Sequence, residues 1–386
     1  MSSDEHVLII GGGIAGVAMS ICLDKAGIHS TVYEGYPHHK HAGASFVVAP
    51  NGQRILQSLG LGAELAANSV PDPGRIRFFS SIDEEIASFH LPPQNATGTP
   101  DVCVERAELL RILLGEAARR GIQVHYGKRL FSLEQGPQSV TAHFEDGSQA
   151  TGSLLIGADG AKSRVRSALF PHVQLQHKKT WAVYGKGSAD CLTAEERELI
   201  EKELVVYEKD GLNVLLYQDH PTKPENYAWL LTGKTERKIP SKNFEHKPKD
   251  ELRADLAKLF ADWTGPVPRM VATSRALTPV QLFRIGRLPS WSSGRVALIG
   301  DAVHTTNPIS GLGVTLALED ALHLSRMLRE HDYQDAFFYY CADRQPQVDE
   351  ILEAIPDLFD SITSLLSWPE YAFPIDWSAN DDASLV

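Results

Sequence analysis

Two kinds of hydrophobic pattern follow one another along the chain, and the first predicts alternating strands and helices. Near the N-terminus, VLIIGGGIAGVAMSICLDKAG predicts a buried strand, a glycine turn and a helix, and STVYEG predicts the next strand. Apolar residues at helical spacing follow in PNGQRILQSLGLG and ERAELLRILLGEAARRG. SVTAHFEDGSQATGSLLIGADG then predicts a hairpin with its turn at Asp146 and Gly147, followed by a short buried strand. The chain therefore begins with a βαβ unit.

The middle of the chain has a different pattern, from about Lys178 to Arg284. TWAVYGKGS, ELVVYEKDGLNVLLYQ and NYAWLLTGK predict strands of an antiparallel sheet. RVALIGDA then predicts another buried strand that ends in glycine, and GVTLALEDALHLSRMLRE predicts a long helix.

This order predicts an α/β fold in which a Rossmann-like nucleotide-binding domain is interrupted by a substrate domain with a mostly antiparallel β-sheet, with C-terminal helices after it. The predicted boundaries assign 1–70, 100–175 and 286–330 to the discontinuous nucleotide-binding domain, 71–99 and 176–285 to the substrate domain, and 331–386 to a C-terminal helical segment.

Composition and charge exclude several classes of protein. The chain has 386 residues and a formal net charge of -12, which argues against a nucleic-acid-binding protein. Its four cysteines form no CxxC pair, so neither a zinc site nor a disulfide framework is indicated. The acidic N-terminus lacks the features of a signal peptide, and no apolar stretch approaches a membrane span. We therefore expect a cytoplasmic protein without a membrane anchor.

The first motif with chemical content is the glycine turn after the first strand. Gly11, Gly13 and Gly16 form GxGxxG between a strand and a helix. In such a turn the first glycine permits the bend, the second lets a pyrophosphate approach the backbone, and the third lets helix and strand pack closely. Glu34 ends the next strand, where a carboxylate can bind ribose hydroxyls. The motif indicates dinucleotide binding but does not separate NAD from FAD.

Two later segments end predicted strands in a similar way. LLIGADGAKSRVR brings Asp159 and Gly160 to a turn with a basic flank at Lys162, Arg164 and Arg166, which favours an anionic cofactor. Taken alone, this segment is also compatible with an ordinary turn that has a solvated flank.

The second of these segments is GDAVHTTNPISGLG, residues 300–313. Asp301 is placed to accept a hydrogen bond from a ribityl or ribose hydroxyl, Pro308 stiffens the loop, and Gly311 and Gly313 flank the start of a helix. For Asp301 alone, an ordinary turn residue is the alternative. His304 either relays a proton near the cofactor or makes a hydrogen bond that fixes the loop.

Together the three segments resemble the class A flavoprotein monooxygenases of the para-hydroxybenzoate hydroxylase type. This family carries GxGxxG, a DG motif and a GD motif in this order, as the chain does. The GD segment matches the family at Gly300, Asp301, His304, Pro308, Gly311, Gly313, Asp320 and Ala321. Thr315 departs from the pattern, because many members have Asn there.

The resemblance implies a GR2-type FAD-binding domain and a single-component monooxygenase. NAD(P)H would reduce FAD as co-substrate, and O2 would form a C4a-hydroperoxyflavin that hydroxylates or epoxidises a small aromatic or polycyclic metabolite. Antibiotic-inactivating and biosynthetic tailoring members have a similar length. A flavin-dependent halogenase, whose WxWxIP motif is absent here, a flavin oxidoreductase and a non-catalytic flavin-binding module are the alternatives. The sequence leaves open a monomer or a homodimer.

The resemblance also proposes the residues of the site. It assigns cofactor binding to Gly11, Gly13, Ile14, Ala15, Gly16, Glu34, Gly43, Arg106, Asp159, Asp301, Pro308, Gly311, Leu312, Gly313 and Val314. In the middle strands, aromatic side chains are substrate candidates, although such residues are more often part of a core. They are Trp181, Tyr184, Tyr217 and Trp229, of which Tyr217 is the candidate acid or base on a phenol.

A metal site is not expected. His38, His39 and His41 lie close together in GYPHHKHAG, but nothing supplies a carboxylate at matching spacing. We expect a solvated loop there.

Overall fold

The computed structural model describes residues 6–38, 45–90, 99–218, 220–221, 226–234, 244–306 and 311–354. Four residues named above lie outside these ranges: His39, His41, Gly43 and Pro308.

The described strands are β1 His6–Ile10, β2 His29–Tyr33, β3 Ser45–Val48, β4 Ser69–Pro71, β5 Arg75–Ser80, β6 Glu85–His90, β7 Val102–Glu105, β8 Gln123–His125, β9 Leu130–Gln135, β10 Val140–Phe144, β11 Gln149–Gly152, β12 Leu154–Gly157, β13 Leu175–Ser188, β14 Leu204–Lys209, β15 Leu212–Gln218, β16 Asn226–Lys234, β17 Ala276–Ile285, β18 Ser292–Ser293 and β19 Val296–Leu298. The described α-helices are α1 Ile14–Lys25, α2 Pro50–Ser58, α3 Gly62–Ala67, α4 Arg106–Arg119, α5 Arg164–Leu169, α6 Ala194–Lys202, α7 Lys249–Leu259, α8 Pro266–Thr273, α9 Gly313–Glu330 and α10 Tyr333–Ala354.

The first sheet brings the sequence motifs to one edge. Its order is β18-β19-β12-β1-β2-β8, and every pair except β18 with β19 is parallel. Ile10 on β1 lies opposite Gly157 on β12, which lies opposite Leu298 on β19. Since parallel strands end at the same edge, the turns after these three strands are neighbours in space although about 290 residues separate the first from the last.

A seven-stranded sheet occupies the middle of the chain, in the order β17-β13-β16-β15-β14-β5-β6. All its pairs are antiparallel except β14 with β5. One face packs under α7 and α8 in a core that includes Trp181, Trp229 and Phe260. The predicted combination of a Rossmann-like parallel sheet and a mostly antiparallel one is confirmed.

The main hydrophobic core joins the N-terminal and C-terminal parts of the chain. It contains buried residues of α1, α4 and α9, and it continues into α10 through Phe337 and Tyr340. The Tyr340 hydroxyl donates to the carbonyl of Leu298 at 3.0 Å. Described residues after 331 therefore pack against the main core, and the domain boundaries stay a prediction.

Over the part of the chain that the structure describes, no helix is both long enough and apolar enough to cross a membrane.

Candidate functional site

One cavity of about 1040 Å³ lies between the carboxyl edge of the parallel sheet and the middle sheet. Its lining includes the turns that follow β1, β12 and β19, and side chains from β13 and β15. This volume is slightly larger than that of most ligand pockets, which are about 300–1,000 Å³.

Each of the three glycines in the first glycine turn has a separate role. Gly11 has a φ of +113°, and a Cβ there would lie 2.3 Å from the carbonyl oxygen of Ala158. A Cβ on Gly16 would lie 1.9 Å from the carbonyl oxygen of Gly11. A Cβ on Gly13 would meet no atom within 4 Å, so this position leaves the cavity open at the N-terminus of α1. Ile14 and Ala15, the first residues of α1, also line the cavity.

Glu34 lies at the cavity directly after β2. Its Oε2 accepts a hydrogen bond from the N–H of Gly12 at 2.8 Å, and its Oε1 accepts one from the N–H of Tyr36 at 2.7 Å. The carboxylate therefore holds the glycine turn against the end of β2, at the position where the sequence predicts a ribose contact.

Asp159 shapes the turn after β12. Its Oδ1 accepts from the Ser163 hydroxyl, and its Oδ2 accepts from the N–H groups of Arg164 and Val165 at 2.7 and 3.2 Å. Burial raises the pKa of Asp159, and these hydrogen bonds oppose the rise. Both oxygens are occupied by the start of α5, so we assign this side chain to the turn itself.

The basic flank of this turn is largely engaged within the protein. Arg166 is buried, and its guanidinium donates to the carbonyls of Ala161 and Ala302 at 2.7 and 2.9 Å. Arg164 pairs with Glu145 at 2.6 Å. Arg166 thus links the turn after β12 to the turn after β19 instead of offering an open charge to an anion.

Asp301 opens onto the cavity from the turn after β19. The turn depends on Gly300, which has a φ of +59°. Burial raises the pKa of Asp301, and the nearby charges of His304, Arg106 and Arg166 oppose the rise. Arg106 is the first residue of α4 and also lines the cavity. Within the described ranges, its guanidinium forms no salt bridge.

A buried network fixes this second turn. Asp320 on α9 accepts from the N–H of Gly300 at 2.9 Å and from Arg344 Nε at 3.1 Å, and it contacts His304 Nε2 at 2.6 Å. Burial opposes ionisation of Asp320, but His304 and Arg344 hold its pKa below the usual value. Burial lowers the pKa of His304, but the Asp320 carboxylate outweighs burial and raises it. His304 is not part of the cavity lining, so the structure favours its role in fixing the loop over a proton relay.

A buried hydrogen bond accounts for the threonine at position 315, where many members of the family have Asn. This residue is fully buried on α9, and its hydroxyl accepts from the N–H of Ala49 at 3.1 Å. Ala49 is the residue that caps the start of α2. The threonine therefore satisfies a buried backbone donor and ties α9 to α2.

The glycines before α9 let the chain approach its neighbours closely. Gly311 has a φ of +67°, and a Cβ there would lie 3.0 Å from Val47 Cβ. A Cβ on Gly313 would lie 2.8 Å from Thr306 Oγ1. Both glycines and Val314 line the cavity, whereas the Leu312 side chain is buried beside it.

Two of the four substrate candidates lie on the wrong face of the middle sheet. Tyr184 and Tyr217 line the cavity. Trp181 and Trp229 are buried on the opposite face, where their indole N–H groups donate to the carbonyl of Lys234 at 3.2 Å and to the Ser274 hydroxyl at 2.8 Å. The prediction for the two tryptophans is therefore wrong. The alternation of side chains along a strand could have predicted this difference. Trp181 and Tyr184 are three residues apart on one strand, so they face opposite sides of the sheet.

Sequence reasoning missed two carboxylates of the cavity wall. Asp72 and Asp101 line the cavity, and the N–H of Asp72 donates to the carbonyl of Asp101 at 2.8 Å. Neither residue belongs to a motif, and only the pairing of β4 with β7 brings them together.

No three described His, Cys, Asp or Glu residues lie close enough together to hold a metal ion. His38, the one described residue of the histidine group, lies at the cavity.

The residues around the cavity fit an FAD molecule. An open backbone position at Gly13, beside the N-terminus of α1, suits a pyrophosphate, because free helix N–H groups attract anions. Glu34 and Asp301 lie at separate parts of the same cavity, as a long cofactor with hydroxyls at both ends requires.

Comparisons with known proteins agree with this geometry. Residues 4–353 match the protein family described as FAD binding domain. The FAD-dependent urate hydroxylase of Klebsiella pneumoniae is 31% identical over 350 residues, which cover 89% of this chain and 87% of the relative. The 6-hydroxynicotinate 3-monooxygenase of Bordetella bronchiseptica is 27% identical, covering 91% of this chain and 90% of the relative. The solved structure of Klebsiella pneumoniae HpxO complexed with FAD and uric acid has a TM-score of 0.76 and 29% identity, covering 90% and 86% of the two chains.

Proposed function

Since the chain belongs to the FAD binding domain family and is a class A FAD-dependent monooxygenase, we propose that it uses NAD(P)H and O2 to hydroxylate a small aromatic ring. The observation that carries this proposal is the continuity of the cavity, which runs from the first glycine turn to Tyr184 and Tyr217 on the middle sheet. A cofactor and a ring can therefore share one cavity. The alternatives of a halogenase and of a non-catalytic module are set aside on family membership.

We assign the two ends of the cofactor to the two glycine turns. Gly13 and the N-terminus of α1 would hold the pyrophosphate, with Ile14 and Ala15 beside it and with Gly11 and Gly16 keeping the turn tight. Glu34 would accept a hydrogen bond from a ribose hydroxyl. This bond would partly replace the one that its carboxylate now accepts from the N–H of Gly12.

The reactive end of the cofactor is assigned to the segment before α9. Asp301 would accept a hydrogen bond from a ribityl hydroxyl, and Arg106 would supply positive charge beside it. The backbone at Gly311, Leu312, Gly313 and Val314 would face the flavin ring, because glycine leaves room there and the helix N-terminus favours negative charge. Bound FAD would supply hydride acceptance from NAD(P)H and activation of O2.

The chain itself would bind and orient the ring and exclude water from it. Leu215 and Leu230 line the cavity near Tyr217, so the ring would lie against apolar side chains, close to the phenol group of Tyr217. Tyr217 would hold or move a proton at its hydroxyl oxygen. Lys128, Lys162 and Arg164 line the cavity, but each already pairs with a carboxylate of the protein, so they assign no binding site to the nicotinamide cofactor.

The test is oxygen incorporation by the FAD-reconstituted protein. A panel of small phenols, hydroxypyridines and purines would be incubated with NADH or NADPH under 18O2, followed by mass spectrometry of the products. The proposal expects substrate-stimulated NAD(P)H oxidation and a product that gains one labelled oxygen atom. NAD(P)H oxidation without any oxygenated product would contradict it and favour a flavin oxidoreductase.

The role of Tyr217 has its own test with a matched control. If its hydroxyl transfers a proton, Tyr217→Phe should lower kcat by about 100-fold or more, because general acid–base catalysis contributes roughly that much. Tyr184→Phe alters the other tyrosine of the cavity and should have the smaller effect on kcat. Full activity of Tyr217→Phe would rule out the proton-transfer role.

A further inference from the structure

One wall of the cavity is acidic where it meets the middle sheet. Asp72 follows β4 and Asp101 precedes β7, and the N–H of Asp72 donates to the carbonyl of Asp101 at 2.8 Å. The Asp72 carboxylate accepts from the N–H of Gly74 at 2.7 Å. The Asp101 carboxyl accepts no hydrogen bond from any residue that the structure describes, although it lines the cavity.

This acidic wall belongs to the ring end of the cavity rather than to the nucleotide end. Cys103 on β7 packs against the cluster that contains Tyr184 and Tyr217. Residues two apart in an extended chain point to the same side, so Asp101 faces the side on which Cys103 meets this cluster. Glu201 in the last turn of α6 and Glu203, which lies between α6 and β14, line the cavity as well.

The wall already resists further negative charge. Burial raises the pKa of Asp101 to about 7, and the neighbouring charge of Asp72 adds to the rise. A substrate carboxylate placed here would be desolvated beside two acidic side chains, which is costly unless a cation pairs with it.

Most described cations of the cavity lie elsewhere or are already paired. Lys128 pairs with Asp146 at 2.6 Å, close to the nucleotide end, where its N–H donates to the carbonyl of Glu34. Lys162 pairs with Glu245 at 2.8 Å. Glu245 accepts from the N–H of Gln281 on β17, the edge strand that pairs with β13, so this cation is already neutralised by a carboxylate of the protein.

Three more cations bear on the ring end. Lys249, the first residue of α7, lines the cavity. Lys186 is paired with Glu105 at 2.9 Å. Arg106 acts electrostatically on both Tyr184 and Asp301, so its charge is shared with the cofactor end. A ring carboxylate that paired with Arg106 would therefore have to compete with Asp301 for the guanidinium.

From this distribution of charge we infer that the substrate is an uncharged aromatic or heteroaromatic ring that bears hydrogen-bond donors and no carboxylate, an inference that rests on the proposed function. Asp101 accepts a hydrogen bond from a ring N–H or O–H, and the tyrosine hydroxyls serve the remaining polar atoms. The inference separates this chain from relatives whose names specify an acid, such as the 6-hydroxynicotinate enzyme.

The experiment compares matched rings on the FAD-loaded protein. Binding is measured from the perturbation of the flavin absorbance spectrum at pH 8 by 2-hydroxypyridine against 6-hydroxynicotinate, and by phenol against 4-hydroxybenzoate. Within each pair, the ring without the carboxylate should bind at least about tenfold more tightly, because one like charge nearby is worth roughly one unit of log affinity.

The variant Asp101→Asn removes the charge and nearly preserves the shape. It should lower the ratio of the two dissociation constants in each pair by about tenfold, whereas the control Asp262→Asn, an exposed carboxylate that pairs with Lys209, should leave the ratio unchanged. If Asp101→Asn does not retain FAD, Asp72→Asn takes its place with the same expected direction.

The outcomes separate the two proposals. A carboxylated ring that binds as tightly as its partner and is hydroxylated would overturn the inference and leave the proposed function intact. A ratio that is unchanged in Asp101→Asn, and in Asp72→Asn where that variant is used, would also overturn the inference. If no ring of either kind perturbs the flavin or gains oxygen, both the aromatic-ring function and the inference fail.

Discussion

Gly11, Gly13 and Gly16 belong to one motif but are required for different physical reasons. Gly11 and Gly16 are needed because a Cβ at either position would enter a backbone carbonyl, at 2.3 and 1.9 Å respectively. Gly13 has free space around it, so the fold does not require glycine there, and we propose that its lack of a side chain serves a ligand. The same distinction between fold and ligand separates Thr315, which serves the fold, from Asp301, which faces the cavity.

The glycines can be separated by alanine substitution. Gly11→Ala should lower the free energy of unfolding by about 3 kcal/mol or more, since it combines a positive φ with overpacking. Gly13→Ala should cost less than about 1 kcal/mol and weaken FAD binding at least about tenfold, because the methyl group occupies ligand space. Urea unfolding of the apoprotein and fluorescence titration with FAD measure the two effects. Equal loss of stability in both variants would contradict the assignment.

The hydroxyl of Thr315 has a separate test. Thr315→Val keeps the shape and leaves the N–H of Ala49 without its partner, so the free energy of unfolding should fall by about 1–3 kcal/mol. Thr141→Val is the matched control, because the Thr141 hydroxyl bonds an exposed Thr151 at 2.9 Å and its loss should cost less than about 0.5 kcal/mol. Chemical denaturation compares them, and similar losses would refute a special role for Thr315.

At the scale of elements, the site depends on how helices hold strand ends. Two helices hold the turn after β19 in place. Asp320 on α9 accepts a hydrogen bond from Gly300 in this turn, and Arg344 on α10 donates to Asp320. The turn after β12 is joined to it by Arg166. The middle sheet contributes by alternation, since one face packs under α7 and α8 while the other forms the cavity wall.

The buried network should be far more costly to break than a surface pair. Asp320→Asn removes the charge that His304 and Arg344 face in a buried setting, so we expect a loss of about 3–5 kcal/mol in the free energy of unfolding. Asp343→Asn breaks the pair with His323, in which the Asp343 side chain is 52% exposed, and should cost less than about 1 kcal/mol. Thermal and chemical denaturation of the two variants measure these losses. A comparable loss of unfolding free energy in both variants would argue against a stabilising role for the network.

At the scale of the whole molecule, the cavity joins two hydrophobic cores. The main core surrounds the parallel sheet, and the second surrounds Trp181, Trp229 and Trp263 on the far face of the middle sheet. Residues associated with both sheets line the cavity, so a cofactor bound there contacts both parts of the molecule.

Removal of FAD should therefore destabilise both parts together. At a free FAD concentration a hundred times its Kd, the holoprotein should be about 2.7 kcal/mol more stable than the apoprotein by mass action. Far-UV circular dichroism follows the whole chain, while tryptophan fluorescence includes the signal of Trp181, Trp229 and Trp263 in the second core. Both should show the same rise in Tm on adding FAD. A rise in only one signal would mean that FAD stabilises only one of the two cores.

The sequence by itself determined the order of sheets, the family and the cofactor. These depend on local backbone requirements, because a tight turn between strand and helix demands glycine at particular positions whatever surrounds it. It also identified Tyr184 and Tyr217 as candidates on the middle strands, and the cavity includes both.

Only the tertiary structure decided which groups face the cavity and which support the turns. The contact of Thr315 with Ala49 joins residues 266 positions apart, and no local pattern encodes it. The pairing of Asp72 with Asp101 and the burial of Trp181 depend likewise on strand register, which sets the direction of every side chain in a sheet. Motifs therefore predicted where the cofactor contacts the backbone, whereas packing between distant segments decided the charge and shape of the substrate end.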